Sequence, residues 1–206
     1  MASTWLYLIR HGEVREGTEG RFVGHTDVPL SETGLEQMRR VGRALADLPI
    51  EAVYSSDLLR SRQSAAEVAR PLGLAPVAVQ ALREMAMGRW EGLTLREISA
   101  RDPDLFSQWL ARLDTFVFPG GESLLQLRAR VLPALGEILD RHAGRRVAVV
   151  AHGGPNRVIL AEALGLPLAH VLRLGQEYGG LSLIQYRAEM AIVRRLNQPP
   201  GADHAG

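Results

Sequence analysis

The sequence predicts an α/β fold of three layers, α/β/α, with a mainly parallel central sheet and a small cap segment. Three observations carry this expectation. Short apolar segments alternate with amphipathic helical ones along most of the 206 residues, which is the pattern of a sheet covered by helices. The two most hydrophobic segments, Thr4 to Ile9 and Val147 to Ala151, lack a polar face, as strands buried on both sides do. Each stops at a histidine followed by glycine, His11-Gly12 and His152-Gly153.

The elements follow in order. Thr4 to Ile9 reads as a buried strand, and the polar, glycine-rich stretch 12–30 as a loop. Leu35, Met38, Val41 and Leu45 recur at spacings of three and four, which makes Ser31 to Leu45 an amphipathic helix. A short strand at Ala52 to Tyr54 precedes a helix over Asp57 to Leu72, whose apolar side is Leu58, Leu59, Ala65, Val68 and Ala69. Pro76 to Val79 reads as a strand. Thr94-Leu95-Arg96-Glu97 fits a capping box, in which the threonine and glutamate side chains satisfy each other's backbone N–H groups, and opens a short helix. A second helix covers Asp104 to Leu113. Ser123 to Gln126 is another capping box; the helix after it places Leu124, Leu127, Val131, Leu135 and Ile138 on one face and is expected to kink at Pro133. Arg145 to Ala151 reads as the central strand, Pro155 as a first helical residue, and Asn156 to Leu164 as the helix that follows. Leu181 to Arg187 and Met190 to Leu196 are two final strands. One domain over 1–197 is expected, with 90–121 as the cap and 198–206 as a disordered tail.

Composition excludes several chemistries. There is no cysteine, hence no disulfide, thiolate zinc site or cysteine nucleophile. All 24 basic residues are arginine, so chemistry that needs a lysine amine (Schiff bases, pyridoxal phosphate, a Walker-type loop) is absent. A net charge of +1 gives no bulk signal for nucleic acid or membrane. No apolar run reaches the roughly 18 residues of a membrane span. The opening MASTWLYLIRHGEV has no signal-peptide pattern, and a cytoplasmic location is expected.

Open α/β sheets bind ligands beyond the carboxyl ends of their strands, where His11 and His152 both fall. A single strand-end histidine is ordinarily a hydrogen-bonded structural residue; two in equivalent places, one beside Arg10, point to a site. At a strand end the chain can turn so that Arg10 and His11 reach one pocket. Arg60, near the start of the second helix, reads either as an exposed helix arginine or as a pocket cation. Glu84, among Leu82, Met85 and Trp90, reads either as a loop ion pair or as a carboxyl held protonated enough to act as an acid.

Six blocks in order resemble the histidine phosphatase superfamily, which includes the cofactor-dependent phosphoglycerate mutases. They are Leu8 to Glu13; Gly20-Arg21-Phe22 with Gly24 to Gly34; Tyr54 to Ala65; Leu82-Arg83-Glu84 with Gly88 to Gly92; Gly120 to Ser123; and Val150 to Gly154. The resemblance covers Leu8 to about Leu164. It implies that His11 is the nucleophile accepting the phosphoryl group, that Arg10, Arg60, His152 and Gly153 bind its oxygens, and that Glu84 protonates the leaving alkoxide and then activates water. Arg21 and Thr26 would shape the substrate rim. Neutral imidazole is a competent nucleophile near pH 7, and guanidinium groups grip phosphate through paired charge-assisted hydrogen bonds. With such cations fixed in place, no metal or other cofactor is implied, and the N-terminal end of the helix near Pro155 would add positive character to the pocket.

Three departures concern the substrate. Family mutases carry an asparagine roughly where Glu16 and Gly17 stand, Met87 replaces a common aromatic, and Pro155-Asn156-Arg157 replaces an apolar-apolar-Arg continuation. The segment Met85 to Pro119 is shorter than in the mutases and holds only four arginines beside several aromatics. A phosphomonoesterase is therefore favoured over a mutase, and within that branch the chain is similar to α-ribazole phosphatases, which remove the 5′-phosphate of a cobalamin precursor. A broad-specificity phosphatase, a phosphoglycerate mutase, a metallohydrolase using His11, His152 and Glu84, and a non-catalytic binding module are the alternatives. The expected partner is a small phosphate monoester, with no nucleic acid and no membrane, and the chain is expected to act as a monomer or homodimer. His25, His142, His170 and His204 are expected at the surface or rim.

Overall fold

A computed structural model describes residues 3–15 and 20–199. Among the described residues, six strands form one mixed sheet in the order β3-β2-β4-β1-β5-β6, where β1 is Thr4–Arg10, β2 Ile50–Ser55, β3 Val77–Ala78, β4 Arg146–Ala151, β5 Leu181–Tyr186 and β6 Ala191–Gln198. The pairs β3–β2, β2–β4 and β4–β1 are parallel, and β5 and β6 are added antiparallel at the β1 side. The helices are α1 (Glu32–Leu45), α2 (Leu59–Ala69), α3 (Leu95–Arg101), α4 (Pro103–Ala111), α5 (Leu124–Arg141) and α6 (Gly153–Leu164).

Strand periodicity divides the core in two. Tyr7, Ile9, Val53, Ala148 and Val150 face Met38, Val41 and Leu45 of α1 and Ala65 and Val68 of α2. Leu6, Leu8, Val147, Val149 and Ala151 face Leu127, Val131, Leu135 and Ile138 of α5 and Val158 to Ala161 of α6. The valines of β4 are fully buried, and each contributes about 1.5–3 kcal/mol of burial energy. The central position of β1 and β4 brings their carboxyl ends side by side, with Arg10 paired to Ala151.

Several boundaries differ from expectation. The helix α6 begins at Gly153 with His152 in the N-cap position, two residues before Pro155. Proline is accommodated there because the first-turn N–H groups lack intrahelical partners in any case. The second helix stops at Ala69, and Arg70–Leu72 tighten into a 3-10 turn around Pro71. The strand expected over Pro76 to Val79 is only two residues long. The strand expected to end at Leu196 continues to Gln198, which pairs with Leu181, so Gln198 is sheet rather than tail. The helix α5 runs through Pro133 without interruption. Both capping boxes, Thr94 with Glu97 and Ser123 with Gln126, form. The positions of Glu16, Gly17, His204 and residues 200–206 lie outside the described residues. No helix among the described residues is long and apolar enough to cross a membrane.

Candidate active site

The carboxyl ends of β1 and β4 open into a cavity of about 220 Å³. Arg10, His11, Arg60, Glu84, Gly153, Gly154, Arg157 and Tyr178 line its polar end; Phe22, Met85, Met87, Trp109, Leu113, Phe118 and Leu172 line the rest. Five residues from four sequence blocks (Arg10, His11, Arg60, Glu84 and Gly153) therefore line one cavity.

His11 follows β1 directly, and its N–H donates to Ala151 O at 3.0 Å, which ties the end of β1 to that of β4. Its ring Nδ1 lies 2.7 Å from Gly12 O. A carbonyl can only accept, so Nδ1 carries the hydrogen and the neutral ring keeps its lone pair on Nε2. Burial, then the positive charges of Arg10 and Arg60, hold the His11 pKa well below the ordinary histidine value. The ring is thus neutral and basic at Nε2 at pH 7, the form in which an imidazole attacks an electrophile.

His152, expected to bind the phosphoryl oxygens, does not line the cavity: it is fully buried beside His11, with ring centroids 5.0 Å apart. Arg60 Nε donates to His152 Nδ1 at 3.3 Å, so the histidine hydrogen is on Nε2, from which it is donated to Ser56 Oγ at 2.6 Å. Burial, followed by the charges of Arg60 and His11, lowers its pKa well below normal.

Arg60 is not an exposed helix arginine: it is 1% exposed. Its Nη1 donates to Thr26 O at 2.8 Å, and its Nη2 to Gly24 O at 2.7 Å and Val23 O at 3.3 Å. Burial lowers its pKa, partly offset by Glu84, Glu91 and Asp27. The loop expected over 12–30 is therefore wrapped around a buried guanidinium. Thr26 takes part through this carbonyl and does not line the cavity, whereas Arg21 does, with Nη1 bound to Gly92 O and Glu97 Oε2, both at 2.8 Å.

Arg10 sits 4.0 Å above the Tyr178 ring and donates from Nη1 to Gln176 O. Its Nε–H is buried with no hydrogen-bond partner. Glu84 faces it from the far side of the cavity. Its carboxylate accepts from Met85 N–H at 2.8 Å, and from Gly154 N–H at 3.1 and 3.2 Å through its two oxygens. Gly154 is in the first turn of α6, so the acid rests on a helix N-terminus. Here glycine is a steric need, because a Cβ at 154 would enter the space of the Glu84 carboxylate.

Reading from sequence missed Arg157, Tyr178 and Ser56. Arg157 stands four residues after Gly153 on α6, anchored by Nε to Leu174 O at 3.0 Å. Tyr178 precedes Gly179, whose N–H donates to His11 O at 3.1 Å; an aromatic beside a glycine pair ahead of a strand was the available signal. His25 is exposed, as expected for a rim residue, and its Nε2 lies 2.9 Å from Glu84 O. His142 is half-buried, 3.0 Å from the Tyr54 hydroxyl and remote from the cavity. Among the described residues, no three His, Asp or Glu side chains cluster so as to hold a metal ion.

Comparisons with known proteins identify the family. The sequence profile of the histidine phosphatase superfamily (branch 1) matches residues 6–199. Phosphoserine phosphatase 1 of Hydrogenobacter thermophilus is 30% identical over 192 residues, covering 93% of this chain and 91% of that one. Phosphoglycerate mutase-like protein 4 of Arabidopsis thaliana is 37% identical over 161 residues, 77% of this chain and 70% of that one. The crystal structure of the α-ribazole phosphatase from Shigella flexneri superimposes with a TM-score of 0.85 at 26% identity, over 94% of this chain and 96% of that one. The chain spans about half (54%) of the length of some other curated relatives it matches. The polar end of the cavity, the mixed sheet that presents it and these matches lead to one conclusion: the chain belongs to the histidine phosphatase superfamily, branch 1.

Proposed function

We propose that the protein is a metal-independent phosphomonoesterase that works through a phosphohistidine. The observation that carries the reading is the fixed tautomer of His11, with Nδ1–H on Gly12 O and the Nε2 lone pair available in a cavity walled by guanidinium groups. In the first step Nε2 attacks phosphorus, the bond from phosphorus to the ester oxygen breaks, and the Glu84 carboxyl serves as the acid that delivers a proton to the departing alkoxide. In the second, Glu84 takes a proton from water as that water attacks phosphorus; the P–N bond breaks and neutral His11 returns. Arg10, with its unpaired Nε–H, and Arg60 stabilise the equatorial oxygens, as loose phosphoryl-transfer transition states require. Gly153 lets the phosphoryl group approach the start of α6. His152 holds Arg60 in line by accepting from its Nε–H at Nδ1.

The specific substrate of this reading is α-ribazole 5′-phosphate, a small molecule, for an enzyme of cobalamin biosynthesis acting in the cytoplasm as a monomer or homodimer. Phe22, Met87, Trp109 and Phe118 support a leaving group with an aromatic body, and the likeness to the Shigella enzyme points the same way. A broad-specificity phosphatase has the same chemistry. The Arabidopsis mutase-like relative favours the mutase reading, and Arg157 is the cavity guanidinium that a second phosphate would meet; against it, Arg21 is engaged with Glu97. The test is phosphate release from p-nitrophenyl phosphate in excess chelator. Turnover that resists chelator and is lost in His11→Ala is expected; turnover abolished by chelator, or retained by His11→Ala, refutes the proposal.

A further inference from the structure

Arg130 lies on α5, does not line the cavity and has no part in the chemistry above. Its guanidinium nevertheless has five N–H donors and makes five hydrogen bonds. Nη1 donates to Ala81 O at 2.7 Å and Arg83 O at 2.8 Å. Nη2 donates to Glu84 O at 2.9 Å and Glu122 Oε1 at 2.5 Å, and Nε to Glu122 Oε2 at 3.0 Å. Glu122 continues the chain of contacts: Oε1 accepts from Ala86 N–H at 2.9 Å, and its own N–H donates to Ala86 O at 3.0 Å. The pair therefore grips the backbone on both sides of Glu84, from Ala81 to Ala86.

This explains why the block Gly120 to Ser123 accompanies the block around Glu84. Gly121 has no room for a Cβ because Ala86 O and Gly88 N press on it, and Arg89 N–H donates to Pro119 O at 2.8 Å. The planar fork of arginine meets the carbonyls of Ala81, in the 3-10 turn Gln80–Leu82, and of Arg83 and Glu84 just after it, together with a carboxylate. A lysine, with three donors on one atom, cannot span this set.

We infer that Arg130, with Glu122, is a positioning residue for the proton transfer by Glu84, and that it sets the enzyme's ability to cleave esters whose leaving group needs protonation. The inference rests on the reading of Glu84 as the acid. General-acid help matters most for a poor leaving group such as an alkoxide and least for p-nitrophenolate. A misplaced acid therefore changes the ratio of kcat/KM for p-nitrophenyl phosphate to that for a simple alkyl phosphate. A variant that merely folds less well lowers both values by one factor and leaves the ratio alone.

The experiment measures this ratio for wild type, Arg130→Lys, Arg130→Met, Glu122→Gln and Glu84→Gln. Arg130→Lys is expected to raise the ratio about tenfold, and Glu84→Gln about a hundredfold. Arg130→Met and Glu122→Gln should move it in the same direction. If Glu84→Gln raises the ratio and Arg130→Lys does not, the positioning role is overturned while the acid stands. If Glu84→Gln itself leaves the ratio unchanged, the acid assignment falls and the positioning role falls with it.

Discussion

Gly154→Ala separates activity from stability at a single methyl group. An added Cβ would lie 3.4 Å from Glu84 Cδ and 3.2 Å from Leu127 Cδ2, closer still to the carboxylate oxygen between them. Carbon and oxygen prefer separations well above 3 Å, so the carboxylate must withdraw by about 1 Å. It then gives up its hydrogen bonds to Gly154 N–H, now 3.1 and 3.2 Å long. A displacement of about 1 Å in a catalytic group costs on the order of 100-fold in rate, or about 2.7 kcal/mol of barrier. The fold should hardly notice. Alanine in place of glycine within a helix stabilises by roughly 0.5–1 kcal/mol, which offsets the shift of two side-chain ends. Steady-state kinetics with an alkyl phosphate, alongside denaturant unfolding, should show kcat/KM down about 100-fold with stability within about 1 kcal/mol of wild type. Gly136→Ala on α5, where a Cβ meets nothing within 4 Å, should leave kinetics unchanged. Full activity in Gly154→Ala would refute the placement of Glu84 as the acid.

Two further outcomes follow from burial. Both His11 and His152 have folded-state pKa values well below the ordinary one, with burial as the first cause. An unfolded chain would bind those protons first, so the stability from keeping both rings neutral is present above about pH 6.5 and is lost as pH falls below it. Each ring contributes a slope of up to about 1.4 kcal/mol per pH unit; His152→Asn should remove one share, and a flat stability profile from pH 7.5 to 5.5 would contradict the burial argument. At the apolar end, Trp109→Ala should cost a naphthyl phosphate about tenfold in kcat/KM while phosphoserine changes little, since an aromatic contact is worth about 1 kcal/mol beyond its area; equal losses for both esters would remove Trp109 from substrate contact.

Much of the fold could be read from the residues because its signals are local. The apolar run at Val147 to Ala151 and the helical spacing of Leu124, Leu127, Val131 and Leu135 are properties of short windows, and both capping boxes formed as their residues required. Boundaries set by long-range pairing were less legible. Gln198 is strand because Leu181 lies opposite it, and β3 is short because it pairs only with Tyr54 and Ser55. The site followed the same division. Arg10, His11, Arg60, Glu84 and Gly153 were picked out by the family resemblance of their blocks, the residues alone leaving Arg60 and Glu84 open, and the cavity gathers all five. Thr26, expected at the substrate rim, takes part through its backbone carbonyl, which meets Arg60 and which any residue could supply. Arg157 and Arg130 were missed because arginine on a helix is usually solvated, and only the approach of distant carbonyls distinguishes these two.

The most direct test of a phosphohistidine mechanism is mass spectrometry of enzyme quenched in base during turnover, conditions under which phosphoimidazole survives. With p-nitrophenyl phosphate, whose leaving group needs no proton, a phosphoryl group on the peptide carrying His11, absent from His11→Ala and accumulating in Glu84→Gln, is the expected result. Turnover with no phosphorylated peptide, or with the group on another residue, would contradict the mechanism.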